Sequence, residues 1–212
     1  MGLVVSSKCY IFGGFAEEID IALAKEIKTE DYVVCADNGL SFANEFGISP
    51  NLVVGDFDSF KEEVNTSADV IKLPKEKDDT DLFFAVNEAL SRGYKDIILS
   101  GVTGGRLDMS FATVSTLIFA HSKGAKIRVY DKSHKLFIIS SSLTLKKPKN
   151  SRYFSVFPLT DEVKGLKITG AKYSAQNMNL VKDFPIGVSN EFAQNEVKIS
   201  LEDGLLLVIT VA

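Results

Sequence analysis

Asp56 and Asp58 close an apolar run, Leu52-Val53-Val54-Gly55, with only Phe57 between them. Two carboxylates this close repel unless a cation, a proton or water intervenes. Hard divalent cations such as Mg²⁺ favour carboxylate oxygens, which gives the pair a chemistry beyond that of a solvated turn. Asp37 stands before Asn38-Gly39, Asp78, Asp79 and Asp81 surround Thr80, and Asp108 follows Gly104-Gly105-Arg106-Leu107. Singly, each has an ordinary explanation: a turn, a helix cap, a local ion pair between Arg106 and Asp108. Brought to one edge, they would repel by on the order of a kcal/mol per pair, a cost that a bound cation removes. Arg106 offers a forked cation to a polyphosphate, and the glycines at 13, 14, 104 and 105 let backbone N–H groups approach phosphate. Carboxylates, Mg²⁺ and an arginine beside backbone amides point to phosphoryl-type transfer.

The elements that must position these groups alternate. Strand-like runs begin at Lys8, Asp31, Asn51 and Asp96, and helical patterns lie between or after them, over 17–27, 40–47, 79–93 and 109–124. Continuous Val/Ile/Leu strands separated by helices predict an open parallel sheet covered on both faces, a Rossmann-like α/β domain. In such sheets ligands sit beyond the carboxyl ends of the strands, where Asp37, Asp56, Asp58 and the Gly104–Asp108 stretch fall. From Lys126 the pattern changes to paired strands. Leu145 to Asn150 is a basic, proline-containing hinge candidate, and short β-rich runs follow it, as in a small all-β sandwich. The expected domains are therefore 1–145 and 146–212.

The chain has 212 residues, 45% hydrophobic, which suffices for one large core or two small ones. A net charge of −4 argues against a nucleic-acid partner, and no basic amphipathic stretch suggests a membrane surface. The first residues lack the features of a signal peptide, and the only two cysteines, Cys9 and Cys35, sit in apolar runs, so a cytoplasmic protein with reduced core thiols is expected. Two histidines and no C-x-x-C leave zinc without ligands. Neither a P-loop nor a G-x-G-x-x-G fingerprint is present.

Ala36–Gly39 (ADNG), Gly55–Ser59 (GDFDS), Lys77–Asp81 (KDDTD) and Gly101–Asp108 (GVTGGRLD), in this order and spacing, resemble the thiamin pyrophosphokinase family. Gly187–Phe192 (GVSNEF), ahead of Val197–Ile209, is similar to the thiamin-binding part of that family. The resemblance implies transfer of a pyrophosphoryl group from ATP to the hydroxyethyl oxygen of thiamin, giving thiamin diphosphate and AMP, with Mg²⁺ and in a homodimer. It implies that the domain 1–145 binds ATP and Mg²⁺ and the domain 146–212 binds thiamin. On this resemblance Asp56, Asp58 and Asp81 hold the metal and, with Asp108, form the catalytic set. Asp37, Thr80, Gly104, Gly105 and Arg106 serve the nucleotide, and Ser189 and Asn190 serve thiamin. Two departures stand out. Met109 replaces a histidine common in the family, and there is no tryptophan to stack on thiamin, so Phe192 or Phe184 is the candidate flat contact. The same residues would also suit a pyrophosphokinase for another small alcohol such as a hydroxymethylpterin, or a non-catalytic nucleotide or thiamin-diphosphate sensor.

Overall fold

The computed structural model describes residues 7–16, 19–56, 67–76, 78–149 and 152–211. The chain divides into two compact units, Met1–Lys132 and Ser133–Ala212.

Among the described residues of the first unit, six strands form a parallel sheet: β1 (Cys9–Phe12), β2 (Tyr32–Ala36), β3 (Leu52–Gly55), β4 (Asp69–Lys72), β5 (Asp96–Ser100) and β6 (Lys126–Tyr130). Their order across the sheet is β6-β5-β1-β2-β3-β4, and neighbouring strands pair in parallel. Alternation sends Tyr10 and Phe12 of β1 to one face and Cys9 and Ile11 to the other, all fully buried. The first face packs on Leu23 of α1 (Ile21–Ala24) and on Leu40 and Ala43 of α2 (Gly39–Glu45). α3 (Asp81–Ser91) lies against β1, β2 and β3, and α4 (Leu107–Ser122) lies against α3 and β6. Leu82 and Leu117 are buried from these two helices, each removing enough apolar surface to contribute about 1.5–3 kcal/mol.

In this unit two elements differ from the sequence expectation. The helix predicted over 17–27 is only the four residues of α1, because Ile19 bridges to Asp131 and Asp20 caps the Ala22 N–H at 2.9 Å. β4 was not foreseen; it is a mostly exposed edge strand of four residues, too short for a pattern.

The second unit contains two antiparallel sheets. One has the order β12-β9-β14-β7, from β7 (His134–Ile139), β9 (Tyr153–Pro158), β12 (Asn190–Glu191) and β14 (Leu206–Val211). The other has the order β11-β10-β13-β8, from β8 (Ser142–Lys146), β10 (Glu162–Thr169), β11 (Ala175–Val181) and β13 (Glu196–Ser200). One hydrophobic core joins them: Phe154, Val156 and Val208 from the first sheet meet Leu166, Val197 and Ile199 from the second. The unit begins earlier than the expected boundary at 145/146. β7 pairs with β14 and β8 with β13, so both belong to the second core, and Leu145 is a buried strand residue rather than part of a hinge. Among the described residues no helix is long and apolar enough to cross a membrane.

Cys9 and Cys35 are free and fully buried, and burial pushes both thiols up, Cys35 to about 12. Thiolate is the reactive form, so neither should react with a disulfide reagent in the native protein. Both are expected to titrate once the chain is unfolded in denaturant, and fast reaction of either in the folded state would contradict this packing.

Candidate active site

From β1 the chain winds outward through β2 and β3 to β4, then returns to place β5 on the opposite side of β1. The topological switch point is therefore between β1 and β5, where an open α/β sheet opens its ligand crevice. The loops leaving these two strands are tied together. Gly13 N donates to Ser100 O at 2.8 Å, and Phe15 N donates to Gly101 O at 2.9 Å.

Asp37 follows β2 directly and takes a left-handed backbone with φ 49°. Its N–H donates to Val54 O of β3 at 2.8 Å. A non-glycine residue held there costs on the order of 1–2 kcal/mol, which marks the turn as constrained by its surroundings. Asp56 follows β3 and is half-buried. Thr80 caps α3, its hydroxyl accepting from Phe83 N at 3.1 Å, and Asp81 occupies the first turn of that helix. Asp78 and Asp79 are exposed just ahead of the cap. Since α3 starts after β4 and ends before β5, its N-terminus lies at the carboxyl edge of the sheet. Asp37, Asp56 and Asp81 thus share one edge of one sheet. Asp58 lies outside the described residues.

Beyond β5, Gly104 and Gly105 both have positive φ, 104° and 60°. Added methyl groups would meet nothing within 4 Å at Gly104, so glycine is required here by backbone conformation rather than by space. Arg106 opens α4 and forks onto Asp108, with Nε to Oδ1 at 3.2 Å and Nη2 to Oδ2 at 2.6 Å. The guanidinium holds the Asp108 carboxyl below its ordinary range. Both side chains are more than 60% exposed, so solvent screening leaves the pair easy to exchange for a phosphate. Asp108 also accepts from Met109 N at 3.0 Å.

Among the described residues no three His, Cys, Asp or Glu side chains form a cluster able to hold a metal ion. What fits a hard cation is the donor chemistry, the carboxylates of Asp37, Asp56 and Asp81 at one edge of the sheet. A cavity of about 360 Å³ between the start of α1 and α2, walled by Phe42 and Phe46, contains none of these residues.

In the second unit Ser189 is exposed and left-handed at φ 58°, and its N–H donates to Ser155 Oγ at 3.0 Å. Asn190 is 8% exposed. Its Oδ1 accepts from Tyr173 N at 3.0 Å and from Glu191 N at 2.9 Å, and its Nδ2 donates to Tyr173 O at 2.7 Å. The amide is therefore engaged in holding the backbone of Tyr173, an exposed aromatic with no motif around it in the sequence. Phe192 is buried edge-on against Phe154, centroids 5.3 Å apart, and belongs to the core. Phe184 is exposed.

Residues 23–129 match the catalytic domain of thiamin pyrophosphokinase and residues 140–206 match its vitamin B1 binding domain. The chain belongs to the thiamin pyrophosphokinase family. Thiamine pyrophosphokinase of Bacillus subtilis is 30% identical over 179 residues, covering 82% of this chain and 84% of that protein. The crystal structure of thiamine pyrophosphokinase from the same organism superposes with a TM-score of 0.87 at 26% identity, covering 98% of this chain and 99% of that one. That of thiamin pyrophosphokinase from Geobacillus thermodenitrificans gives 0.84 at 27% identity, with 97% of each chain covered. Both units thus have counterparts in thiamin pyrophosphokinases, and the boundary between the matched domains falls where the second core begins.

For a thiamin pyrophosphokinase, the residue least visible in the sequence is Asp131. It directly follows β6 and is 3% exposed. Oδ1 accepts from Gly101 N at 2.6 Å; Oδ2 accepts from Val102 N at 3.3 Å, Thr103 N at 2.8 Å and Thr103 Oγ1 at 2.5 Å. Burial raises its carboxyl above the ordinary range, and these donors pull it back. An aspartate at the carboxyl end of the Lys126–Tyr130 strand was the available signal, and reading the stretch from Lys126 as paired strands set it apart from the parallel sheet.

Ser189→Gly separates backbone from hydroxyl. Glycine relieves the left-handed strain, so stability should rise by up to about 1 kcal/mol. The thiamin KM should rise if the hydroxyl contacts thiamin. A raised melting temperature with an unchanged thiamin KM would remove that hydroxyl from the site.

Proposed function

We infer the reaction from the family and the site together. The chain is an ATP-dependent pyrophosphotransferase that acts on thiamin and produces thiamin diphosphate. The observation that carries this reading is the match over both units, since a phosphate-transfer edge alone would serve other small alcohols equally well. The vitamin B1 binding domain over 140–206 favours thiamin over a hydroxymethylpterin, and a sensor would have no need of the carboxylates at the sheet edge.

In the finer reading, the thiamin hydroxyl oxygen attacks the β-phosphorus of ATP. A bond forms to that phosphorus, its bond to the α,β-bridging oxygen breaks, and AMP leaves while the hydroxyl proton is lost. Asp56, Asp58 and Asp81 would hold Mg²⁺, which when bound offsets phosphate charge. Arg106 leaves Asp108 for a phosphate oxygen, and the N–H groups of Gly104 and Gly105, with the start of α4, face the polyphosphate. Asp37 and Thr80 serve the nucleotide side, and Asp108 completes the catalytic set. In the second unit Ser189 supplies a hydroxyl. Asn190 acts through Tyr173, whose ring, like that of Phe184, is exposed for a flat contact with thiamin. The assembly in this reading is a homodimer, and the compartment is the cytoplasm, where buried thiols stay reduced.

The test is incubation with ATP, Mg²⁺ and thiamin, with products separated by chromatography. AMP and thiamin diphosphate in equal amounts are expected. ADP with thiamin monophosphate would sink pyrophosphoryl transfer. Turnover of a hydroxymethylpterin in place of thiamin would move the substrate, and nucleotide binding without turnover would make the chain a sensor.

A further inference from the structure

Three successive backbone N–H groups, those of Gly101, Val102 and Thr103, converge on one buried carboxylate. Consecutive amides that turn to one point form a nest, the kind of concavity that ordinarily receives an anion from outside. Here the anion belongs to the chain itself, Asp131, and the Thr103 hydroxyl completes its set of donors. Burying a carboxylate is costly unless its oxygens are hydrogen-bonded, so the loop and the aspartate hold each other in place.

Neighbouring contacts extend the same arrangement. Ser100 Oγ donates to Tyr130 O at 2.7 Å, one residue before Asp131, and Thr113 Oγ1 of α4 donates to Val102 O at 2.8 Å. Gly101 O receives the N–H groups of Phe15 and Ala16 at 2.9 and 3.2 Å, which ties in the glycine loop after β1. Because the first half of the β5 loop turns its amides inward, they are not available to a ligand. Only Gly104, Gly105 and the start of α4 remain to face one.

We propose that Asp131 is a positioning residue for nucleotide binding: by occupying the nest of Gly101–Thr103 it sets Gly104, Gly105 and Arg106 toward the phosphates of ATP. This rests on the reading of that loop as the phosphate-facing element. Asp131→Asn keeps the volume and one acceptor oxygen but replaces the other with a donor, which opposes the N–H groups it faces. Thr103→Val removes the hydroxyl alone and keeps the shape.

The experiment measures Mg²⁺–ATP affinity by calorimetry without thiamin, the KM for each substrate, and the melting temperature, for wild type and both variants. Asp131→Asn is expected to weaken Mg²⁺–ATP binding and raise its KM about tenfold or more, with the thiamin KM within about twofold of wild type. Thr103→Val should move the same parameters about three- to fivefold. A purely structural role would lower the melting temperature and the amount of active enzyme while leaving ATP affinity and the split between the two KM values unchanged. That result overturns the proposal. If Asp131→Asn does not fold, Thr103→Val decides, unchanged ATP affinity again overturning it. A wild type that binds ATP but does not turn over thiamin would refute the functional reading and leave this comparison of affinities standing. A wild type that binds no ATP would refute both.

Discussion

Asp81→Asn is expected to lower AMP formation about 10²-fold or more while leaving the protein folded. The residue sits in the first turn of α3, behind the Thr80 cap, and is only half-buried. Asparagine keeps its shape, and the lost charge at a helix N-terminus costs no more than about 1 kcal/mol of stability. The loss of activity would come instead from one carboxylate fewer at the edge that carries Asp37 and Asp56. Asp56→Asn and Asp58→Asn should behave alike. Chelation of divalent cations should abolish turnover of the wild type, and Mg²⁺ should restore it. The variants should need more Mg²⁺ for half-maximal rate, whereas near-normal turnover by Asp81→Asn at limiting Mg²⁺ would return these aspartates to the role of solvated turns and caps.

Gly39→Ala should cause the largest loss of stability among single methyl additions at this edge. A β-carbon at Gly39 would lie 2.0 Å from Phe12 O and 2.6 Å from Phe12 C, both backbone atoms of the central strand. Nothing flexible stands there to yield, so the start of α2 must move away from β1. Overpacking of this kind costs about 3 kcal/mol, which for a chain of this size lowers the melting temperature by roughly 10 °C. Asp37, two residues earlier and already in a left-handed turn, would move with it, and activity should fall in the protein that remains folded. Gly124→Ala is the control: its φ is positive at 76°, but an added β-carbon meets nothing within 4 Å, so only the conformational cost of about 1 kcal/mol applies. Equal losses from the two substitutions would show that the close approach of Gly39 to Phe12 carries no special weight.

The alternation of apolar strands with helices was legible because a strand buried on both faces needs a continuous apolar run, as Ile97-Ile98-Leu99 and Val33-Val34-Cys35 provide. Helix ends were legible where local chemistry specifies them: Thr80 caps α3, and Gly93 and Gly124 follow the ends of α3 and α4 with positive φ. The acidic motifs were legible as well, since carboxylates at strand ends depend only on the strands being recognised. The sequence by itself thus determined the parallel α/β unit, the β-rich end and the family to which both belong.

Other features depend on which groups, distant in the chain, come together. β4 and β11 are mostly exposed edge strands that lack an apolar pattern, and pairing with β3 and β10 is what defines them. The boundary at 132/133 follows from the pairing of β7 with β14, partners that lie some seventy residues apart, rather than from a proline in a basic stretch. That the Asn190 amide holds the backbone of Tyr173 is visible only in the fold, and Phe192 reads as a flat contact until it is found against Phe154. Asp131 shows the reason most directly. Its three backbone donors lie 28 to 30 residues away, and only the parallel pairing of β5 with β6 brings carboxylate and loop to the same place. Local propensities act over a few residues, whereas the burial of a charge is decided by whatever the tertiary fold sets against it.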